Sequence, residues 1–157
     1  MKREVYTITK DYQFDITHKG APYCIDGTWK NAGEAVEILL KDALGFRAEK
    51  DANTPFDEDS DIPELHASVK SPAFTLTSVK LGESFEEVKA SYFERTASEL
   101  TIWGYVAGEE LVTYWMNMEE FSDYLEAFGT WEASRKVIRG KKLSNKMLNW
   151  FEERVAR

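Results

Sequence analysis

Asp61 and Lys70 bracket the stretch Asp61-Ile62-Pro63-Glu64-Leu65-His66-Ala67-Ser68-Val69-Lys70. An acid is followed nine positions later by a lysine, at the end of an apolar-alternating segment. An acid and an ammonium held on one strand pair is a layout that can hold a divalent metal and a scissile phosphate. Hydrolysis of a phosphodiester needs an activated water, charge neutralisation in the transition state and a stabilised leaving alkoxide. A Mg²⁺ held by two carboxylates can serve the first two needs. A lysine can lower the pKa of the attacking water or clamp a phosphate oxygen. Further acids within reach of such a site are Glu64, close in sequence, and Glu34, in a predicted helix upstream.

Each of these residues also has a plain structural role open to it. Asp61 can cap a turn before Pro63. Glu34 stands in the first turn of its predicted helix, where the macrodipole favours a carboxylate. Lys70 can protect an edge strand from unwanted pairing, and Glu64 can be a solvated loop acid. His66 alternates with Ser68 on one predicted strand face, as a surface residue or as a base beside a metal. His18 falls in a polar loop and is given no role.

The elements that must position these groups can be read from caps and periodicity. Residues 3–16 alternate weakly and predict one or two short strands, and Tyr23-Cys24-Ile25 predicts another. Asn31 is a suitable N-cap for a helix over 32–44, closed by Gly45, with Val36, Leu39, Leu40, Ala43 and Leu44 at helical spacing. Phe46 to Ala48 could open a strand, and 51–60 reads as a polar loop. Residues 65–76 read as a strand with a kink or hairpin at Ser71-Pro72. Ser84 caps a helix over 85–97, with Glu87 in capping-box register.

Strands over 100–106 and 111–117 form a predicted hairpin through Ala107-Gly108-Glu109-Glu110. A helix follows from about 118 to 128, then a short strand over 136–140. Ser144 caps a last helix over 145–155, with Met147, Leu148, Phe151 and Val155 as one stripe that docks on the domain or on a second subunit. Trp103 and Tyr105 share a face of the hairpin, as core or as a stacking platform. Trp29, Trp131 and Trp150 sit near element ends, where they would seal the core. This order predicts an α/β or α+β sandwich around a central mixed β-sheet.

Length and composition fit one domain, 1–157, with an ordinary balance of apolar and charged residues. No apolar run is long enough for a transmembrane helix. The first residues lack the apolar core of a secretory signal, and Cys24 is the single cysteine. Together these predict a cytoplasmic protein with no membrane association. One cysteine and two distant histidines cannot build a structural zinc site. The net charge of -8 argues against nucleic-acid binding by charge alone. The charges are segregated, however. Asp57 to Asp61 is a dense acidic run, whereas Arg135, Lys136, Arg139, Lys141, Lys142 and Lys146 form a basic stretch with no acid between them. The stretch could grip phosphates, or the two runs could be solvated loops of opposite sign.

From about Asn31 to Asn117 the chain resembles the PD-(D/E)xK phosphodiesterase superfamily, the restriction-endonuclease-like fold. That family's core is helix, three strands, helix, strand. Glu34 stands eleven positions before Gly45-Phe46 and matches the glutamate of the family's first helix, with Glu37 as a second candidate. Asp61 matches the family's metal aspartate, and Lys70, in Ser68-Val69-Lys70-Ser71, its lysine. Pro72 to Leu76 resembles the small-residue stretch that follows. The resemblance implies a nuclease-like core over about 31–117, with a helical and basic extension over about 118–157. It implies a Mg²⁺ site from Asp61 with Glu64 or Glu34, and Lys70 acting on the water.

One position departs from the pattern. Ser68 stands where the family has its second carboxylate, and a neutral hydroxyl is a poor Mg²⁺ ligand. The whole chain also looks similar to small proteins encoded by mobile elements of Gram-positive bacteria, a likeness that implies no mechanism. Three functional readings follow. The chain is a Mg²⁺-dependent DNA phosphodiesterase of weak or lost activity, an accessory protein of a mobile element or phage that binds DNA or a protein partner, or an acidic DNA mimic.

Overall fold

The computed structural model describes residues 1–8, 23–25, 28–30, 32–46, 61–77, 84–96 and 98–155. For 23–25, 28–30, 32–35 and 38 it describes the backbone alone. The hairpin is the centre of the fold. Strand β6 (Leu100–Ala107) and strand β7 (Glu110–Asn117) pair antiparallel through a tight turn at Gly108 and Glu109. Gly108 takes φ +60° there, a conformation that disfavours any side chain. Strand β1 (Lys2–Thr7) adds antiparallel to β7, and strand β4 (Ala67–Lys70) adds parallel to β6. The result is a mixed four-stranded sheet in the order β1-β7-β6-β4. Strands β2 (Tyr23–Ile25) and β3 (Thr28–Lys30) form a separate hairpin.

Both faces of the main sheet are covered, and the strand sequences show why. On β6, Ile102 joins a cluster with Val36, Leu39 and Leu40 of helix α1 (Ala32–Ala43). Its neighbour Trp103 joins the larger cluster on the opposite face. Strand β7 alternates likewise, with Leu111 toward α1 and Val112, Tyr114 and Met116 toward the other face. Alternation of two apolar sets is what a strand buried on both sides requires. α1 ends at Gly45, whose φ of +77° turns the chain, and the Phe46 N–H bonds the Lys41 carbonyl at 2.8 Å. Gly104 lies under α1, where an added Cβ would stand 3.1 Å from Val36 Cγ1.

Three helices contribute to the second face, each started by a side-chain cap. Helix α2 (Phe85–Arg95) begins at Ser84, whose Oγ accepts the Glu87 N–H at 3.2 Å. Helix α3 (Met118–Phe128) begins with a full capping box between Asn117 and Glu120. Helix α4 (Asn145–Val155) begins at Ser144, whose Oγ accepts the Met147 N–H. Phe151 of α4 stacks on Tyr114 at 4.2 Å and lies 4.7 Å from Trp103. Residues after 117 therefore fill the main core, and the stripe on α4 docks on its own chain. Trp103 is fully buried, so it is core and not a platform. Trp131 and Trp150 pack against the same cluster as expected.

Three features differ from the sequence reading. Residues 65–76 do not make one kinked strand or a hairpin. The chain runs through a short 3-10 helix (Pro63–Leu65) and β4, then turns and enters strand β5 (Thr75–Leu76) in a different sheet. That second sheet has the order β5-β9-β8, with strand β8 (Gly129–Glu132) and strand β9 (Val137–Gly140). β8 had no counterpart in the sequence reading. Finally, between α1 and α2 the described residues hold two strands in two sheets, where the resemblance implied three in succession. A second strand near Phe14 and Ile16, the Asn31 cap and a strand at 46–48 concern residues wholly or partly outside the described ones. Among the described residues no helix is long and apolar enough to cross a membrane.

Candidate functional site

The turn before β4 is closed by a pair of main-chain hydrogen bonds between Ile62 and Ala67, at 3.0 and 3.2 Å. His66 reverses the chain with φ +49°, in the left-handed region. The reversal brings Asp61 back alongside β4, where its Oδ2 accepts the Val69 N–H at 2.7 Å. β4 is the edge of its sheet, so Asp61 occupies a main-chain donor that has no strand partner.

Period-two alternation then sorts the β4 side chains. Ala67 and Val69 enter the α1 cluster. Ser68 and Lys70 point the other way, into a pocket of about 190 Å³ lined by Asp61, Ser68, Lys70, Thr75, Leu76, Thr77, Tyr92, Arg95 and Thr96. β4 supplies the floor and β5 with Thr77 one wall. The last turn of α2 supplies the opposite wall, because Tyr92, Arg95 and Thr96 recur at i, i+3 and i+4.

The lining is polar and carries two cations. Lys70 Nζ lies 5.5 Å from the Tyr92 ring centroid, and among the described residues it has no carboxylate partner. Arg95 Nη2 donates to the Thr77 carbonyl at 3.3 Å, which draws the guanidinium across from α2 toward β5. Ser68 Oγ donates to Ser98 Oγ at 2.9 Å, and the Ser98 N–H bonds Thr96 Oγ1 at 3.2 Å. The Tyr92 hydroxyl is buried with no hydrogen-bond partner among the described residues.

Of the residues singled out in the sequence, Asp61, Ser68 and Lys70 share this pocket. Glu64 does not line it and is exposed on the 3-10 helix. The side chain of Glu34 lies outside the described residues, as do His18 and the acids Asp57, Glu58 and Asp59. His66 sits in the turn, exposed, and not on a strand face with Ser68, because its left-handed backbone ends the alternation.

The basic stretch is dispersed. Arg135 and Lys136 occupy the β8–β9 turn, and Lys141 and Lys142 follow β9. Lys146 starts α4. Arg139 on β9 stands opposite Thr75, a pocket residue, and pairs with Glu132 at 3.3 Å. Sequence reasoning missed Tyr92, Arg95 and the threonines. The helical spacing of Tyr92, Arg95 and Thr96 was the available signal, but nothing local tied that face to Lys70.

The donor set can be tested against the Mg²⁺ that the resemblance implies. Mg²⁺ is held by carboxylates, waters and substrate phosphates. Among the described residues one carboxylate, Asp61, lines the pocket, and two cations share it. No group of three or more His, Cys, Asp or Glu among them could hold a metal ion. The described side chains therefore do not fit a protein-held Mg²⁺. Comparison with protein-family models, with curated proteins and with solved structures finds no match to this chain.

Proposed function

We propose that this chain is a divergent nuclease-like protein that grips a phosphate of DNA, with phosphodiester hydrolysis weak or lost. The observation that carries this reading is the meeting of Asp61, Ser68 and Lys70 in one polar pocket. The order α1, β4, α2, β6 around a mixed sheet supports a restriction-endonuclease-like core. Lys70 supplies a positive charge at the pocket. With Ser68 in place of a carboxylate, the pocket keeps its phosphate-binding side and loses its metal-binding side.

Two measurements test the reading. Retention on double-stranded DNA is expected at low salt and its loss at high salt, since phosphate contacts release counterions. Nicking of supercoiled plasmid with Mg²⁺ or Mn²⁺ is expected to be slight or absent. Lys70→Ala should weaken retention and abolish any nicking. A protein that is not retained on DNA even at low salt would overturn the proposal.

A further inference from the structure

We infer that the pocket is a metal-free phosphate site in which the Arg95 guanidinium, with the Lys70 ammonium, supplies the positive charge. The inference rests on the reading of this pocket as a phosphate site and adds the residue and the charge carrier. It starts from the mismatch between the donor set and Mg²⁺. A divalent cation beside one carboxylate would face two fixed positive groups, whereas a phosphate beside them is attracted.

Arg95 is placed by two independent features. It stands in the last turn of α2, where a cation is favoured by the helix dipole. Its reach to the Thr77 carbonyl holds the guanidinium over the pocket instead of out along the helix axis. One Nη2 hydrogen meets that carbonyl, and a guanidinium has five donor hydrogens in a planar fork. The remaining donors are suited to phosphate oxygens. Thr75, Thr77 and Thr96 add hydroxyls around the same space, and Asp61 is partly occupied by the Val69 N–H.

Size narrows the ligand. The pocket measures about 190 Å³, below the roughly 300–1,000 Å³ of sites that enclose a drug-sized molecule. A phosphate group fits within it, with the rest of any ligand lying outside the pocket. A site that reads only the backbone positions DNA without selecting sequence.

The test is calorimetric titration of the full-length protein with inorganic phosphate, with chelator present and ionic strength matched by chloride. Binding is expected in the wild type, weakened about tenfold or more in Arg95→Ala and in Lys70→Ala, and less in Arg95→Lys. Lys2→Ala, which removes a cation paired with Glu4 on β1, should bind as the wild type does. Circular dichroism confirms folding, and Arg95 is exposed enough for its removal to spare the core. Equal phosphate binding by wild type and Arg95→Ala, no binding at all, or binding only with Mg²⁺ present would overturn the inference. Failure of the DNA reading is separate. Phosphate binding lost in Arg95→Ala, with no retention on DNA, leaves the site standing without its proposed polymer. Retention on DNA that Arg95→Ala does not change leaves the DNA reading standing without this site.

Discussion

The carboxylate of Asp61 accepts the main-chain N–H of Val69 at 2.7 Å, one residue before the pocket lysine. The acid that lines the candidate site among the described residues is thus also a structural pin for the edge strand that carries Lys70. Mutating it tests two roles at once unless the variant separates them. Asp61→Ala leaves the Val69 donor unmatched, and the loss should be about 1–3 kcal/mol in urea unfolding. Asp61→Asn keeps an acceptor oxygen and removes the charge. It should cost less than about 1 kcal/mol and strengthen phosphate binding, since a negative group leaves the pocket. Equal destabilisation by both variants would show that the charge, not the acceptor, matters for stability.

Ser68→Asp introduces a second carboxylate beside Asp61 at a position only 2% exposed. Without metal, the added charge at a buried site should lower stability by about 1–3 kcal/mol. With Mn²⁺ it should recover part of that loss, visible as a rise in Tm of a few degrees, roughly 2–4 °C per kcal/mol at this chain length. The wild type should show no comparable rise. Thermal unfolding of both proteins with and without Mn²⁺ reads this directly.

Gly140 is the tightest point between β9 and the turn that leads into β5. Its N–H bonds the Phe74 carbonyl at 2.8 Å. A Cβ there would meet the Pro72 carbonyl and the Phe74 ring at separations no real atom adopts. Gly140→Ala should therefore destabilise by about 2 kcal/mol or more. It should also weaken phosphate binding, because β9 sets the position of Thr75. A denaturation midpoint within error of the wild type would contradict this packing.

Burial raises the pKa of the Tyr124 phenol above its ordinary value of 10.0. The folded state then holds this proton to higher pH than the unfolded chain does. Its contribution to stability is complete below about pH 10 and falls as the pH rises beyond it. Tyr124→Phe has no proton to lose and should unfold less steeply with rising pH in that window. Near neutrality the variant forfeits the weak bond from the hydroxyl to Met147 Sδ at 3.6 Å and the hydroxyl's interaction with the Trp103 side chain, a cost of roughly 1–2 kcal/mol. Urea midpoints measured from pH 8 to 11 distinguish the two proteins.

What the sequence made legible was whatever is encoded locally. Ser84 and Ser144 each mark a helix start within their own turn, and Gly108 marks the hairpin. That Asp61 and Lys70 line one pocket was legible because both lie on one short segment. β8 was not, because Gly129 follows α3 directly in extended conformation, without a loop to separate helix from strand. The departure of the chain from one sheet to another between Lys70 and Thr75 depends on where β9 lies, with Leu76 opposite Ile138 far downstream. Arg95 was hidden for the same reason: its partner across the pocket belongs to a segment distant in sequence.

The passage from β4 to β5 has a mechanical outcome. These strands belong to different sheets, connected along the chain by the short turn between them, and the pocket spans the junction. An anion gripped by Lys70 on one sheet and by the groups beside Thr75 on the other becomes a strut across that joint. Occupancy should stiffen both sheets together, so that slowed amide exchange in β4 and in β5 would appear as one event rather than two.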